Sequence, residues 1–331
     1  MVIEALLAQP CYQQATEEQR LVLFLAALLH DISKPDTTVI DTETGRIGQP
    51  GHSRRGAVDA RLLLWRAGMP FELREQVCRI ISVHQLPFFA LSGNRNGQSP
   101  EFILHKLSWE LPVWMLCAVA EADMQGRTYV GKQAVLDEIE LFRELADEEG
   151  CLYGPRAFVD DYTRIQYFRG ARVHPDYPLH EPEGSHVVML SGMPASGKNT
   201  WVAKRHPDLP VISFDDAREA LGLRHGENEG AAAHFAIDRA KSLLREKQPF
   251  VWNSTHLSAQ MRKKTLDLLY AYQAKVQIQY LEMPEKEIYQ RNSRRDTSLR
   301  NEDIRRMLFK WEVPLPSEAH EVHYNLSLIH I

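Results

Sequence analysis

The pattern of hydrophobic and polar positions changes once along the chain, close to residue 150. Before that point, apolar residues recur every three or four positions, as expected for helices that turn one face toward a core. The predicted helices, separated by Pro or Gly, cover residues 17–31, 55–68, 71–85, 112–127 and 131–150. Because no strand-like alternation of useful length interrupts them, residues 1–150 are predicted to form an all-α domain.

After residue 185, short apolar runs alternate with helical segments. This alternation predicts an α/β domain in which helices flank a parallel sheet. The predicted strands cover residues 186–190, 210–213, 249–253 and 275–283, and the predicted helices begin near Asn199, Ala231 and Ser258. Residues 151–184 hold four prolines and several aromatic residues, which predicts a connector that wraps rather than a free linker. The predicted domains are therefore 1–150 and 185–331.

The composition narrows the class of protein. The chain has 331 residues, of which 44% are hydrophobic and 25% charged, which is typical of a globular protein with two domains. Its longest apolar run, Leu21 to Leu29, is about half of what a membrane span needs. The amino terminus has no basic stretch, and the four cysteines form no C-x-x-C pair. We therefore expect a cytoplasmic protein in a reducing compartment, with no membrane partner.

The formal net charge of −5 argues against a strongly basic nucleic-acid-binding coat, but the charge is unevenly distributed. Residues 1–183 carry a balance of −8, whereas residues 184–331 carry a balance of +3. The second part also contains a crowded set of arginines, namely Arg291, Arg294, Arg295, Arg300, Arg305 and Arg306. A polyanion is therefore predicted to contact the second part.

The stretch "LSGMPASGKNTW" contains the pattern of a phosphate-binding loop, G-x-x-x-x-G-K. It follows a predicted strand and opens a predicted helix, so backbone N–H groups and the helix dipole would converge on an anion. Asn199 stands where a hydroxyl normally holds Mg²⁺, but its amide oxygen can still ligate the ion, and Thr200 supplies a hydroxyl one residue later. The predicted nucleotide-binding residues are Gly192, Ser196, Gly197, Lys198, Asn199 and Thr200.

Charged side chains follow the second predicted strand in "ISFDDAREALG". Asp215 and Asp216 would lie at the carboxyl edge of the sheet, where such folds bind ligands. A carboxylate there can accept a proton from an attacking hydroxyl, and Arg218 can hold an acceptor phosphate. The alternative is that Asp215 caps a helix. Downstream, residues 290–307 predict either an arginine lid over the transferring phosphoryl group or a solvated helix face.

These motifs resemble the 5′-hydroxyl polynucleotide kinase family over roughly residues 185–323. The resemblance implies that Lys198 and Thr200 bind ATP or another NTP with Mg²⁺, that Asp215 is the general base, and that Arg218 holds the phosphate next to the 5′-OH. It also implies a donor-contacting lid arginine among Arg291, Arg294 and Arg295, of which Arg295 is assigned to catalysis. The segment "WNSTHL" stands where that family has a D/N-x-T-N-like strand end, and His256 departs from that pattern.

The helical half contains a second set of candidate residues, all at the ends of predicted helices. His30 and Asp31 are adjacent, and His52, His84 and Asp123 follow in order. Neutral imidazoles and carboxylates suit a divalent transition metal, with water as a remaining ligand. Each histidine alone is more typical of a core or surface residue, but the ordered set predicts a metal site.

This half resembles the HD phosphohydrolase superfamily, most closely the HD domains of bacterial tRNA nucleotidyltransferases. The resemblance implies that His30, Asp31 and Asp123 are metal ligands and that His52 and His84 serve a second metal or a substrate phosphate. The superfamily normally has another ligand histidine about thirty residues before the HD pair, whereas His30 is the first histidine here. Either the chain begins late or the HD domain has decayed, and the tail "NLSLIHI" also fits truncation.

An HD domain followed by such a kinase resembles the bifunctional bacterial HD–polynucleotide kinases that heal broken nucleic-acid ends. The resemblance implies phosphorylation of 5′-OH ends of RNA or DNA, together with removal of a 2′,3′-cyclic phosphate or 2′-phosphate by the HD domain. A separate ligase would then join the healed ends. Two alternatives remain open: a small-molecule kinase of the zeta-toxin or nucleoside kind, and a defective HD module that binds nucleotide or RNA and regulates the kinase.

Overall fold

The computed structural model describes residues 1–92, 97–128, 130–224, 226–295 and 299–326. The chain divides into two compact units, Met1–Ala157 and Phe158–Ile331. Among the described residues, no single helix is long and apolar enough to cross a membrane. The helices Pro100–Ser108 and Val113–Gln125 would reach that length and hydropathy only as a pair, and they are bent by 112° relative to each other.

The first unit is built mainly from helices, as the apolar periodicity predicts. They are α1 (Val2–Ala8), α2 (Pro10–Gln14), α3 (Glu17–Leu29), α4 (Lys34–Thr37), α5 (His52–Arg66), α6 (Phe71–Val83), a 3₁₀ helix at Leu86–Phe88, α7 (Pro100–Ser108), α8 (Val113–Gln125) and α9 (Lys132–Glu148). Helix α8 is apolar on nearly every face, and ten of its thirteen residues are buried. It therefore forms the centre of this core, against which α1, α3, α6 and α9 pack.

A short antiparallel hairpin departs from the predicted all-α architecture of this unit. Its strands are β1 (Val39–Ile40) and β2 (Ile47–Gly48). The turn forms because Asp41 Oδ1 accepts hydrogen bonds from the backbone N–H groups of Glu43 and Thr44, both at 2.9 Å. Strands of two residues are too short to produce a recognisable alternation in the sequence.

The helix ends of the first unit place its candidate residues. Helix α3 begins with a capping box, in which Thr16 Oγ1 accepts from Gln19 N and Gln19 Oε1 accepts from Thr16 N. Its other end stops at Leu29, so that His30 is the C-cap. Helix α6 likewise has His84 as its C-cap, and α5 begins at His52.

The second unit is an α/β fold. Its helices are α10 (Asp161–Phe168), α11 (Lys198–Arg205), α12 (Phe214–Ala220), α13 (Glu229–Arg245), α14 (Ala259–Ala271), α15 (Glu285–Ser293) and α16 (Asn301–Leu308). Within the described residues, five parallel strands form its sheet: β3 (His186–Gly192), β4 (Val211–Ser213), β5 (Phe250–Asn253), β6 (Lys275–Glu282) and β7 (Glu321–Leu326). Their order is β4-β5-β3-β6-β7, and helices flank the sheet as expected.

The centre of the sheet is buried on both faces, which explains its continuous apolar runs. Val187, Met189 and Trp252 pack in one core with residues of the flanking helices. The parallel register pairs Met189 with Trp252, so that β3 and β5 end at the same edge. The phosphate loop leaves β3 at this edge, and Asn253 lies there as the last residue of β5.

Part of the predicted connector, residues 158–184, lies in the second unit and contains α10. Asp160 caps this helix by accepting a hydrogen bond from Thr163 N at 2.6 Å. The buried Arg164 donates to the backbone carbonyls of Pro316, Ala319 and His320. The connector is therefore fixed to the segment that precedes β7.

Candidate functional site

The phosphate loop of the second unit requires glycine at its first fixed position. Gly192 adopts φ 153°, and a Cβ at this position would lie 2.5 Å from the Leu281 carbonyl oxygen. Its N–H donates to the Thr255 carbonyl at 2.9 Å, which fixes the start of the loop. Gly197 is the N-cap of α11 with φ 94°, and the hydroxyl of Ser196 is buried without a hydrogen-bond partner. An unpartnered buried hydroxyl inside the loop fits a site made for phosphate oxygens.

Lys198 folds back onto the loop. Its Nζ donates to the carbonyl oxygens of Gly192 at 3.0 Å and Met193 at 2.8 Å. Burial, together with the positive charge of Arg295, lowers the pKa of Lys198 to about 7. A neutral amine has two N–H groups, which these two carbonyls occupy.

The neighbouring polar residues of the loop face the end of β5. Asn253 Nδ2 donates to Asn199 Oδ1 at 2.8 Å. Both residues line the same cleft as Lys198 and Thr200. The corner at which a hydroxyl would normally bind Mg²⁺ is therefore formed by two side-chain amides, with the Thr200 hydroxyl one residue further on.

Asp215 lies in the first turn of α12 at the edge of this cleft. The N-cap of α12 is Ser213, whose Oγ accepts from Asp216 N at 3.0 Å, so Asp215 does not cap the helix. The side chain of Asp215 is 72% exposed and is paired with Arg218, which is 12% exposed. Arg218 also donates to Glu229 at 2.8 Å. An exposed carboxylate beside a held guanidinium is an arrangement that can take up a proton next to a phosphate.

The arginines of the predicted lid separate into two groups. Arg291 and Arg295 line the cleft. Arg294, the exposed C-cap of α15, is not among the cleft-lining residues, so its predicted nucleotide contact stays a prediction. Arg300 and Arg306 instead form ion pairs on the exposed side of α16, as a solvated helix face would. Residues 296–298 of this segment lie outside the described residues.

The structure brings most predicted kinase residues into one cleft of about 920 Å³. That volume is at the upper end of the range for small-molecule sites. Its lining includes Gly197, Lys198, Asn199, Thr200, Asp215, Arg218, Arg291 and Arg295. Apolar residues, including Phe214, Leu223 and Met307, line the remaining wall, which suits a ligand with both phosphates and bases.

His256, whose role the sequence left open, is buried behind the cleft. Its Nδ1 donates to the Leu190 carbonyl at 2.8 Å, and its Nε2 accepts from Thr265 Oγ1 at 3.0 Å. Burial lowers its pKa to about 4, so the ring is neutral. It adopts φ 40°, and its own carbonyl accepts from Ser191 Oγ and from the buried Arg262. His256 therefore supports the end of β3 from behind.

The five candidate residues of the first unit, His30, Asp31, His52, His84 and Asp123, lie close together and are called the histidine–aspartate cluster. In each of the three histidines, Nδ1 lies 2.8 Å from a backbone carbonyl, of Ala27, Gln49 and Ile81 respectively. These bonds fix the tautomer and point Nε2 toward the carboxylates. The same backbone support is typical of metal-binding histidines.

The distances between these atoms fit an ion site better than a hydrogen-bond network. His30 Nε2 lies 3.1 Å from Asp31 Oδ2 and 3.4 Å from Asp123 Oδ1, and the Nε2 atoms of His52 and His84 lie 3.7 Å and 4.0 Å from Asp31 Oδ1. Although these atoms are close, the His30 Nε2, Asp31 Oδ1 and His84 Nε2 atoms are buried and lack hydrogen-bond geometry. Ligand atoms of these three residues lie within 4.8 Å of one another.

Charge in the cluster is unevenly shared. Burial alone would lower the pKa of His30, but the carboxylates of Asp123 and Asp31 raise it to about 9. Burial lowers the pKa of His84 to about 4. The His30 imidazole is thus charged and the His84 imidazole neutral, and a metal would have to displace the His30 proton.

Two cations beside the cluster were not selected from the sequence. Lys34 Nζ lies 2.7 Å from Asp31 Oδ2, and Arg127 Nε donates to Asp123 Oδ1 at 2.9 Å. Their spacing from the carboxylates, three and four residues, could have indicated these pairs, because such neighbours share one helix face. The ligand atoms that lie within 4.8 Å of one another belong to His30, Asp31 and His84, whereas the resemblance implied His30, Asp31 and Asp123 as ligands. Asp123 is paired with Arg127.

The fold and the loop together define the second unit as a P-loop α/β domain with a parallel sheet flanked by helices. A family model described as an AAA domain matches residues 187–314. That match supports a P-loop kinase-like domain, a nucleotide-binding phosphotransferase that uses Mg²⁺. It begins within β3 and extends beyond α16, and so includes every residue that lines the cleft.

Proposed function

We propose that the P-loop domain transfers the γ-phosphoryl group of ATP, or of another NTP, to the 5′-OH end of RNA or DNA. The observation that supports this most is the placement of Lys198, Asp215, Arg218 and Arg295 in one cleft. The cleft has two ends with different chemistry, the phosphate loop for a donor and the Asp215–Arg218 pair for a phosphorylated acceptor.

Each charged residue of the cleft has a separate role in the proposed phosphoryl transfer. Asp215 takes the proton of the attacking 5′-hydroxyl, and Arg218 holds the phosphate that follows it in the chain. Lys198 leaves the loop carbonyls and contacts the β- and γ-phosphates. Arg291 and Arg295 neutralise charge on the transferring group, and Mg²⁺ enters with the nucleotide.

For the histidine–aspartate cluster we propose a divalent transition-metal site, of the HD type, that acts on a 2′,3′-cyclic phosphate or 2′-phosphate. The three buried atoms of His30, Asp31 and His84 without hydrogen-bond partners support it, since a native core rarely leaves such atoms unsatisfied. A bound ion would supply a polarised water for phosphoester hydrolysis. Lys34 and Arg127 are placed to attract the phosphate.

One experiment tests both halves. The full chain is given γ-labelled ATP, Mg²⁺ and a 5′-OH oligonucleotide, and separately a metal ion and an oligonucleotide that ends in a 2′,3′-cyclic phosphate. Asp215→Asn should abolish label transfer and leave the phosphohydrolase intact, and Asp31→Asn should do the reverse. The activity that each variant retains shows that its chain is folded, so each variant serves as the control for the other.

The acceptor class is decided in the same assay. Label on the oligonucleotide, and none on a 5′-phosphorylated copy, is the expected result. Label on a nucleoside or another small molecule, with none on the oligonucleotide, would contradict the polynucleotide acceptor. Absence of any metal-dependent loss of cyclic phosphate would contradict the second activity and leave a non-enzymatic role for the histidine–aspartate cluster.

A further inference from the structure

The corner between the phosphate loop and β5 is formed by two amides. Asn199 is the second residue of α11, and Asn253 ends β5, which pairs in parallel with β3. The hydrogen bond from Asn253 Nδ2 to Asn199 Oδ1, at 2.8 Å, lets each side chain fix the orientation of the other. Both residues line the cleft, so the pair would lie beside a bound triphosphate.

Neither amide carries a charge, and the acidic side chains of the cleft lie elsewhere. Among the described residues that line it, the carboxylates are those of Asp215, Asp216 and Glu219, all on α12. Asp215 is already paired with Arg218. The corner therefore offers oxygen ligands that Mg²⁺ can use, but without the negative charge that would hold a cation by itself.

Resting on the proposed phosphotransfer function, we infer that the Asn199–Asn253 pair lets the cleft bind a nucleoside triphosphate almost as tightly without Mg²⁺ as with it. A carboxylate at this corner would repel the phosphates of the free nucleotide, and a cation would be needed to offset that repulsion. The amide pair introduces no such repulsion.

The cations of the cleft act in the same direction. Arg291 and Arg295 attract the free nucleotide, which carries more negative charge than its magnesium complex, and Lys198 adds to this attraction once its amine takes up a proton. Without Mg²⁺, the nucleotide loses the binding free energy of its metal contact. Its stronger attraction to these cations offsets that loss. The phosphoryl-transfer step still requires Mg²⁺, because charge develops on the leaving phosphate. Donor binding and the chemical step thus differ in their need for the metal.

The test measures the dissociation constant of ATP for the full chain by calorimetry, in excess EDTA and in excess Mg²⁺. For the unchanged chain, the two constants should differ by less than about tenfold. Asn253→Asp should weaken binding in EDTA by a further tenfold, roughly, and Mg²⁺ should restore it, since a unit charge near the phosphates costs at least that much at a partly exposed site. Asn253→Ala removes the hydrogen bond without adding charge and should keep the original ratio.

Two results would overturn the inference and leave the nucleotide site intact. One is a ratio above about tenfold for the unchanged chain. The other is a ratio that Asn253→Asp does not raise, or that Asn253→Ala raises equally, because charge at the corner would then not be the cause. Absence of ATP binding in both buffers would remove the phosphotransfer function itself. No acceptor is present, so the result is independent of whether the acceptor is a polynucleotide.

Discussion

The histidine–aspartate cluster and the phosphate-loop cleft are both polar, yet they meet their hydrogen-bonding needs in opposite ways. In the cluster, His30 Nε2, Asp31 Oδ1 and His84 Nε2 are buried and lack a hydrogen-bond partner. In the cleft, Lys198 is bonded to loop carbonyls, Arg218 to two carboxylates, and Asn199 to Asn253.

This difference fits the ligand that we propose for each site. Buried atoms without hydrogen-bond partners gain contacts when an ion binds between them, and no hydrogen bond has to be broken. The only group displaced is a proton. A cleft whose groups are paired with one another must exchange those pairs for contacts to a ligand, so its ligand has to offer several charged groups at once. Single ions suit the first arrangement, and a triphosphate suits the second.

Replacement of Lys198, in the phosphate-loop cleft, should have the largest effect on the rate of phosphoryl transfer. Lys198→Ala is expected to lower the rate of phosphoryl transfer about 10²- to 10³-fold, since the charge on the β- and γ-phosphates loses its main protein partner. The measurement is label transfer from γ-labelled ATP. Lys204→Ala, at an exposed position on the same helix, is the matched control and should leave the rate unchanged. An active Lys198→Ala protein would contradict the cleft as the donor site.

Acid should weaken the second unit through its buried neutral histidines. Burial lowers the pKa of His256 to about 4, against about 6.5 in an unfolded chain. Below pH 6.5 the unfolded chain therefore binds a proton that the folded chain does not. The free energy of unfolding should fall with pH through this window, by up to about 2 kcal/mol for this residue between pH 6.5 and pH 5.

Denaturant unfolding at pH 7 and pH 5 checks this expectation. His256→Asn keeps a residue that tolerates φ 40° but removes the titration, so its loss of stability between the two pH values should be smaller than that of the unchanged chain. His320, whose pKa is also lowered to about 4 by burial, keeps part of the effect in both proteins. Equal pH dependence in the two proteins would show that His256 is not buried as a neutral ring.

Removal of one unpartnered atom should weaken ion binding at the histidine–aspartate cluster. His84→Gln is expected to lower the affinity for Co²⁺ by at least about 10- to 100-fold, because even indirect supports of metal ligands have effects of that size. Titration calorimetry and the visible absorption of bound Co²⁺ measure it. His105→Gln changes a buried histidine that already has Glu149 as its partner, and it should leave the affinity unchanged. If both variants bind Co²⁺ normally, the ion does not bind at the cluster.

The smallest expected effect concerns the outer partner of Arg218. Glu229→Gln weakens one of the two charged contacts of Arg218, so the guanidinium is less firmly held for the acceptor. The KM for a 5′-OH oligonucleotide should rise by about three- to tenfold with little change in kcat, in keeping with about 1 kcal/mol for a charged hydrogen bond at a partly exposed site. Asp238→Asn, exposed on the same helix, is the control. A fall in kcat alone would indicate a role other than holding the acceptor.

The elements with strong apolar periodicity could be predicted from the sequence, and so could the short edge strand β4, but strand β7 could not. Helix α8 and strand β3 are buried on most sides, so nearly all their residues are apolar. Strand β7 gives no apolar run in the sequence because none of its residues is fully buried, whereas two of the three residues of β4 are. Its last residues, Asn325 and Leu326, begin the tail "NLSLIHI", and residues 327–331 lie outside the described part.

The sequence also indicated which residues to examine in each site, but not how they pair. The phosphate-loop pattern pointed to Lys198, and the ordered set of histidines and aspartates at predicted helix ends pointed to the His30–Asp31 pair. The contact between Asn199 and Asn253 joins residues 54 positions apart, and its existence depends on the parallel register of two strands. His256 was unclear for the same reason, because its partners Leu190 and Thr265 are neighbours only in the folded chain.

The contacts of Lys198 with the loop carbonyls also affect which anions the loop binds weakly. Cells are rich in inorganic phosphate and sulfate, and an exposed lysine at the mouth of a helix would be a general trap for them. To bind here, a single small anion would have to displace the two carbonyl contacts of Lys198. The amine, whose pKa is about 7, would also have to be protonated. In return, the anion would gain one ion pair. We therefore expect the loop to favour a chain of three phosphates over a single small anion.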